Sequence, residues 1–171
     1  MATAEPARED IFLPGGHLCK ECVSEPALKV LCEALKLARE TRWDSVRSPH
    51  IFMGILALPD SAIRTWGELL GADLNSLLTS FQELFHQEQG ERAALLVLNR
   101  EFLSDNFIRI LRDAYARARD HRRAAVTPMD LLITLLTASN SIVAECFERI
   151  DVTAAKLTEL AVLAEQQAGT K

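Results

Sequence analysis

The first side chains with types and spacing suited to chemistry lie in His17-Leu18-Cys19-Lys20-Glu21-Cys22. Two thiolates and an imidazole at this spacing could bind zinc, but a closed structural site needs four ligands, and no second Cys-x-x-Cys or His-x-x-x-His follows. Cys32 has the position of a helix-face residue. A redox motif usually opens a helix after a strand, and that context is missing here. We interpret Cys19 and Cys22 as ordinary thiols in a loop and keep a zinc- or redox-responsive arm as the alternative.

The second such cluster is Ser48-Pro49-His50, which places a hydroxyl beside one of the four histidines. A serine nucleophile needs a base within hydrogen-bond distance. However, serine before proline is typical of a helix N-cap, whose hydroxyl accepts a backbone N–H, and this bond would engage Ser48. We interpret the acidic residues as spread over solvated helix faces, without a close pair for acid–base catalysis. The sequence therefore predicts no enzyme activity and no cofactor.

Composition favours a helical protein of modest size. The 171 residues fit one domain or two small halves that share a core, and 49% of them are apolar. Aromatic residues make up only 6%, whereas Ala and Leu abound, which favours helix over sheet.

Charge and hydropathy exclude several classes of partner. The net charge of -5 argues against nucleic acid. We interpret one local cationic run as a helix C-terminus that complements the macrodipole. The run contains Arg117, Arg119, His121, Arg122 and Arg123. No apolar run reaches the ~20 residues of a membrane span, and the acidic start lacks a signal-peptide core. We expect a cytoplasmic protein with reduced cysteines and no membrane partner.

The neighbourhood of Ser48-Pro49 occurs twice in the chain. Ser24-Glu25-Pro26-Ala27-Leu28 matches Ser104-Asp105-Asn106-Phe107-Ile108 at an offset of 80 positions. The Ser48-Pro49 and Thr127-Pro128 caps match at an offset of 79, which suggests one residue gained or lost within each half. The sequence is therefore a tandem duplication.

The duplication predicts the organisation of the domain. Residues 1–23 form an irregular arm whose Ile11-Phe12-Leu13 docks on the body, and residues 24–165 form the double repeat. Repeat 1 is 24–88, the connector is 89–103, repeat 2 is 104–165, and 166–171 is a polar tail. Each repeat has four helices, and its second helix is apolar nearly all round. We therefore predict an all-α, eight-helix fold with two four-helix units packed around a pseudo-two-fold axis.

Three motifs recur in order in the two repeats. They are Ala34-Leu35-Lys36-Leu37-Ala38, Ser48-Pro49-His50-Ile51-Phe52-Met53-Gly54-Ile55-Leu56 and Leu69-Leu70-Gly71-Ala72-Asp73-Leu74, matched by Ala114-Tyr115-Ala116-Arg117-Ala118, Thr127-Pro128-Met129-Asp130-Leu131-Leu132-Ile133-Thr134-Leu135-Leu136 and Arg149-Ile150-Asp151-Val152. This order resembles the Clp N-terminal domain, the double four-helix repeat that precedes the ATPase rings of Clp-type AAA+ unfoldases. The resemblance covers roughly residues 24–163.

The resemblance implies a non-catalytic protein-interaction module. Such a module recruits substrates or adaptors to a Clp-type AAA+ chaperone or protease, or regulates it. The implied partners are a Clp-type ATPase or peptidase, an adaptor protein or an unfolded polypeptide, held in the groove between the repeats or on the first helices. Candidate anchors are Trp43, Trp66, Phe107 and Tyr115. Because aromatic residues at helical spacing are usually core, we expect only Trp43, in a loop, to be partly exposed.

Two departures from the family limit what can be transferred. Some members recognise phosphorylated arginine with a glutamate just after the cap threonine, and Pro49 and Pro128 occupy those positions here. In the second repeat, Asp130 stands where the family often has His or another polar residue. The chain also contains no G-x-x-x-x-G-K-[ST] motif, so we expect no ATP hydrolysis. It is either a free-standing Clp N-type protein or the front of a longer unfoldase.

Overall fold

The computed structural model describes residues 10–40, 45–85, 103–138 and 141–169. Within these ranges the protein is all-α, as predicted, and each repeat contributes four helices. The helices are α1 (Glu25–Glu40), α2 (Ser48–Ala57), α3 (Ser61–Leu70), α4 (Leu74–Leu84), α5 (Asp105–Asp120), α6 (Pro128–Thr137), α7 (Ile142–Glu148) and α8 (Ala154–Gly169). Trp43 and connector residues 89–102 lie outside the described residues.

Local sequence signals position most of the helices. Asp60, Ser104 and Ser141 each accept the backbone N–H three residues on, the bond by which a short polar side chain starts a helix. Gly71 ends α3 in the left-handed conformation, with φ of 73°, which glycine adopts without a Cβ clash. Each of these signals acts within a few residues of the helix end that it marks.

The start of α2 corrects the prediction that Ser48 is its N-cap. Arg47 is the N-cap, Ser48 is the first helical residue, and Pro49 is the second. Proline is tolerated there because the N–H groups of the first turn have no intrahelical acceptor. The side chain that caps this turn is that of His50, whose Nδ1 accepts the backbone N–H of Arg47 at 2.9 Å.

The start of α6 shows the same arrangement with a different residue. Thr127 is its N-cap, and Oδ2 of Asp130 accepts the Thr127 backbone N–H at 2.8 Å. His50 and Asp130 therefore play the same part, 80 positions apart. The offset of 80 holds at the start of α2 and α6 too, so the gain or loss of a residue inferred from the two proline caps is wrong.

The core lies where the apolar helices α2 and α6 meet. α1 packs on α2, α5 packs on α6, and α3 runs along α8 of the other repeat. Phe52 of α2 lies in the middle, with its ring centroid 4.8 Å from that of Phe81 and 5.9 Å from that of Phe147. Trp66 joins this cluster, and its Nε1 donates to the Leu157 carbonyl at 3.2 Å. The aromatic cluster therefore joins the two repeats.

The described part of the arm folds back on the body, as predicted for Ile11 and Phe12, which are both buried. Phe12 pairs with Leu18 in an isolated bridge, so the arm forms a small hairpin. The Asp10 carboxylate accepts two N–H bonds from Arg112 of α5 at 3.2 and 3.1 Å, and the Arg112 guanidinium lies 5.6 Å from the centroid of the Phe12 ring. These contacts hold the arm on α5.

Each repeat exchanges its leading segment with the other repeat. Val23, before α1, forms a parallel bridge with Val126, before α6. Leu103, before α5, forms the equivalent bridge with Val46, before α2. The backbone hydrogen bonds of these bridges measure 2.8 to 2.9 Å. The arm is therefore bound to repeat 2, and the end of the connector to repeat 1.

No single helix among the described residues is long and apolar enough to cross a membrane; only the bent pair of α6 and α7 reaches the required length and composition, when the two are taken together.

Candidate functional site

A groove, which we call the interrepeat groove, crosses the junction between the repeats. It begins with a pocket of about 110 Å³ between the starts of α2, α5 and α7. The pocket is lined by Arg47, Ser48, Pro49, His50, Phe85, Ser104, Asn106 and Ile142. Ile142 is 40% exposed, so it offers apolar surface at the pocket mouth.

The groove continues through a narrow neck into a wide cleft. The neck holds about 20 Å³ and is lined by Ser48, Asn106, Arg109, Ile110, Leu135, Ala138 and Ser141. The cleft holds about 770 Å³ between α6, α7 and α8 and is lined by Leu136, Thr137, Ala138, Ser141, Ala144, Glu145, Glu148, Ala154, Ala155 and Thr158. The pocket and the neck share Ser48 and Asn106, and the neck and the cleft share Ala138 and Ser141. The three sections are therefore adjacent, in a row from the pocket to the cleft.

Ser141 fixes the wall between the neck and the cleft. Its hydroxyl donates to the Leu135 carbonyl of α6 at 2.5 Å and accepts the Ala144 backbone N–H at 3.2 Å. The same side chain therefore starts α7 and ties it to the end of α6. These bonds fix the start of α7 relative to the end of α6.

The two ends of the groove carry opposite charges. Arg47 in the pocket and Arg109 in the neck are exposed cations. Glu145 and Glu148 in the cleft are exposed anions on α7. The lining therefore offers both apolar and charged contacts to a bound molecule.

The predicted hydroxyl–imidazole pair lies at the pocket but lacks the features of a catalytic pair. His50 is only 1% exposed, and burial lowers its pKa to about 4, helped by the nearby charge of Arg47. The ring is therefore neutral near pH 7, and its Nδ1 is engaged by the Arg47 N–H. The arrangement of Ser48 and His50 is explained by the start of α2.

At the equivalent position of repeat 2, Asp130 forms a charged network instead. Arg117 donates to Asp130 at 2.6 Å and to Glu165 at 2.8 and 2.9 Å, and Arg123 also donates to Asp130. Burial alone would raise the pKa of Asp130, but hydrogen bonds from Arg123, Thr127 and Arg117 hold it below its ordinary value. The two arginines and two carboxylates offset each other's charges, which gives the network a structural role.

This network corrects two predictions. Arg117 and Arg123 bind carboxylates across helices, rather than only complementing the C-terminus of α5. Asp130 is fully buried, so the interpretation that acidic residues lie on solvated faces is wrong for it. The available signal was an ionisable residue inside the apolar run of α6, because a buried carboxylate requires a cationic partner.

The thiols of the arm are buried beside α5. Cys19 and Cys22 are 3% and 5% exposed, whereas His17 is exposed. Burial and a hydrogen bond with Cys22 raise the pKa of Tyr115, which places this thiol against the phenol. Among the described residues, no three His, Cys, Asp or Glu side chains form a group that could hold a metal ion.

The predicted anchors within the described ranges belong to the core. Trp66 and Phe107 are 0% exposed and Tyr115 is 5% exposed. Their helical spacing placed them on the inward faces of α3 and α5, where they pack against the other helices. A partner could contact them only if the core opened, so we leave them out of the binding surface. Trp43 lies outside the described residues and stays a prediction.

Comparison with solved structures defines the class of fold. The chain is similar to the N-terminal domain of the caseinolytic protease-associated chaperone ClpD from Arabidopsis thaliana, with a TM-score of 0.66 and 16% identity over 88% of this chain and 99% of that one. It is also similar to the Hsp104 N-terminal domain from Candida albicans, with a TM-score of 0.68 and 12% identity over 83% and 90% of the two chains. A third similar structure comes from a study of a malarial protein secretion system, with a TM-score of 0.60 and 16% identity over 82% and 92%.

The protein therefore has a Clp N-domain-like fold, as the sequence motifs predicted. Neither the family models nor the curated proteins with which the sequence was compared match it.

Proposed function

We propose that this protein is a non-catalytic interaction module that binds a polypeptide segment in the interrepeat groove. Through that contact it recruits substrates or adaptors to a Clp-type AAA+ chaperone or protease, or regulates it. Its partners are then a Clp-type ATPase or peptidase, an adaptor or an unfolded polypeptide, in the cytoplasm. Trp43 remains a proposed additional partner contact.

The observation that carries the proposal is the row of adjacent pocket, neck and cleft, with apolar residues in the pocket and neck and charged residues at the two ends. The floor includes Ile110, Leu135 and Ala138, and Ile142 at its edge exposes apolar surface. Burying a partner's apolar side chains there gains about 25 cal/mol per Å² before the costs of association are subtracted. The similarity to the N-terminal domain of a protease-associated chaperone supports a Clp-type system as the destination.

Filling the groove tests the proposal. Ala138 lines both the neck and the cleft, so Ala138→Trp would close the passage between them. Leu58 ends α2 as Ala138 ends α6, lies 80 positions earlier and is 43% exposed, which makes Leu58→Trp the matched control. We expect a tagged wild-type chain and Leu58→Trp to retain a Clp-type ATPase, peptidase or adaptor from native extract, and Ala138→Trp to lose it.

The retained proteins are identified by mass spectrometry with and without ATP, after circular dichroism has established that the variants are folded. Equal retention by Ala138→Trp and the wild type would contradict binding in the groove. Retention of no Clp component by any of the three chains would contradict the proposed role in a Clp system.

A further inference from the structure

We infer that Cys19 and Cys22 form a reversible dithiol site that exchanges with a low-molecular-weight disulfide and is converted to an intramolecular disulfide. The site lies in the arm, apart from the interrepeat groove, so the inference is independent of the proposed binding function. Its substrate is the oxidised form of a small thiol, of the chemical class of glutathione disulfide.

The two cysteines stand at the ends of a single 3₁₀ turn. Cys19 is the N-cap of the turn Lys20–Cys22, and the Cys22 backbone N–H donates to the Cys19 carbonyl at 3.1 Å. A turn closed by such a bond holds the Cα atoms of its first and fourth residues within about 7 Å of each other. Disulfides join residues whose Cα atoms lie about 4.4–6.8 Å apart. The backbone therefore already brings the two cysteines close to the separation that a disulfide needs.

The surroundings of the pair also resemble those of a redox-active Cys-x-x-Cys motif. Such a motif usually follows a strand and opens a helix, and the sequence alone showed neither element here. In the structure, Leu18 pairs with Phe12 in an isolated bridge, and the 3₁₀ turn begins two residues later. An extended segment followed by a helical turn is therefore present around Cys19 and Cys22 on a small scale.

Both thiols lie near one side chain of α5, Tyr115. Burial raises the pKa of Tyr115, a hydrogen bond with Cys22 raises it further, and the charges of Cys22 and Cys19 add to the effect. Because one phenol is close to both cysteines, their side chains point to the same side of the turn. Two sulfurs in this arrangement suffice for a disulfide, whereas a closed zinc site needs four ligands.

The arm controls access to the dithiol. Both thiols are buried, and a thiolate must reach the small disulfide in order to attack it. The exposed pair of Asp10 and Arg112 helps to hold the arm on α5, and exposed ion pairs contribute little to stability. Local opening of such a segment exposes buried groups without unfolding of the whole domain. Exchange should therefore be limited by opening of the arm.

The exchange takes place in two steps. One cysteine thiolate attacks a sulfur of the small disulfide, so that a mixed disulfide forms and one small thiolate leaves. The second cysteine thiolate then attacks the protein sulfur of the mixed disulfide, so that the Cys19–Cys22 bond forms and the second small thiolate leaves. The two protons of the protein thiols end on the released small thiols, and two electrons pass from the protein sulfurs to the small disulfide.

The test uses the full chain with Cys32→Ser and Cys146→Ser, which leaves only the two arm cysteines. The chain is incubated with glutathione disulfide, remaining thiols are alkylated, and the intact mass is measured. We expect the loss of two hydrogen atoms without alkylation, and excess reduced glutathione should restore both thiols. With Cys22→Ser in the same background, Cys19 should stop at a mixed disulfide with glutathione.

A second variant, Arg112→Ala, tests whether the arm limits the reaction. Loss of the pair with Asp10 should make the arm open more often and raise the rate of disulfide formation roughly two- to fivefold. Arg64→Ala is the control, because it removes an exposed arginine from α3 and should leave the rate unchanged.

The opposing outcomes are distinct. Two glutathione adducts on one chain would mean that the turn holds the sulfurs apart. Thiols that are oxidised only in urea would be inert core residues, and equal rates in Arg112→Ala and its parent would contradict control by the arm. If circular dichroism shows that the serine variants are unfolded, peptide mapping of the oxidised wild type decides. A Cys19–Cys22 link then supports the inference, and any other pairing contradicts it.

Discussion

His50 and Asp130 cap the starts of α2 and α6 with side chains of different chemistry. Each accepts the backbone N–H of the N-cap residue, at 2.9 and 2.8 Å. Asp130 brings a negative charge into the core and needs Arg117 and Arg123 to offset it, whereas His50 stays neutral. The residues at the corresponding sites differ accordingly: the counterpart of Arg117 in repeat 1 is Leu37. Because His50 is neutral, the start of α2 needs no charged partner for its cap, and a pocket lies beside it.

Titration of His50 predicts a pH dependence of stability. Its folded pKa is about 4, below the ordinary value of 6.5, so between these pH values the unfolded chain binds a proton that the folded chain does not. The free energy of unfolding should therefore fall as pH falls from 6.5 to 4, by roughly 3 kcal/mol at most. Urea unfolding at steps of half a pH unit measures the change.

Asparagine provides the comparison, since His50→Asn keeps an acceptor for the Arg47 N–H and removes the titration. We expect the fall between pH 6.5 and 4 to flatten in this variant, while the same change at the exposed His17 leaves it intact. Asp130 and Glu165 have lowered folded pKa values, so the stability they contribute is lost as pH falls through their ordinary values of 3.8 and 4.5, which overlaps the window of His50 only at its acidic end. A wild-type fall that survives in His50→Asn would contradict the assignment.

At the scale of elements, the two repeats differ in how closely their first two helices approach. Gly54 of α2 faces α1, and a Cβ added to it would lie 2.5 Å from the Val30 carbonyl oxygen. The counterpart of Gly54 in repeat 2 is Thr134, a buried residue on α6. α1 and α2 can therefore approach at a point where α5 and α6 must accommodate a side chain.

The close approach predicts that Gly54→Ala is destabilising. Alanine normally stabilises a helix relative to glycine by about 0.5–1 kcal/mol, but overpacking against backbone costs about 1–3 kcal/mol. We expect a net loss of about 1–2 kcal/mol in chemical unfolding. Gly67→Ala is the control, because the atoms its Cβ would meet, the nearest at 2.9 Å, belong to the Leu74 side chain, which can move. Equal stability of the wild type and Gly54→Ala would show that α1 and α2 can move apart enough to accommodate a methyl group.

The helix boundaries show which structural features depend on local sequence alone. Short polar caps and Gly71 are readable in the sequence as helix boundaries, because each acts through bonds within a few residues. The start of α2 was predicted one residue late, because Ser48-Pro49 has the composition of a cap while Arg47, which carries no acceptor on its side chain, is the residue that fills that position. The capping acceptor was His50, and this role depends on its burial among distant residues.

The site was less predictable than the fold for the same reason. The groove brings together residues from the starts of α2, α5 and α7 and the end of α6, which are far apart in sequence. Trp66, Phe107 and Tyr115 were selected as candidate anchors because they are aromatic. Their helical spacing places them on inward faces, and they lie in the core. Their burial was expected from that spacing, whereas the helix ends that meet at the groove depend on the assembled fold, which single-sequence periodicity does not describe.

At the scale of the whole molecule, the two repeats share one interior. Phe52, Phe81 and Phe147 come from both repeats, and Trp66 of repeat 1 donates its N–H to Leu157 of repeat 2. We therefore expect thermal unfolding in a single transition, with no stage at which one repeat is folded alone.

Tryptophan fluorescence can test this because the chain has only two tryptophans. In Trp43→Phe, Trp66 reports on the junction between the repeats, and far-ultraviolet circular dichroism reports on all helices. The two melting curves should coincide. A fluorescence transition at a lower temperature than the loss of helix would mean that the junction opens before the repeats unfold.

The exchanged bridges bear on how such a chain could have originated. Val23 pairs with Val126 and Leu103 pairs with Val46, so the described leading segment of each unit bonds to the other unit. A separate unit would keep that segment unpaired, whereas two identical copies could satisfy each other through the same exchange. The present arrangement has the geometry that a two-fold homodimer would have after its two copies were fused. After fusion the halves could diverge independently, one acquiring a charged network around Asp130 and the other a neutral pocket beside His50.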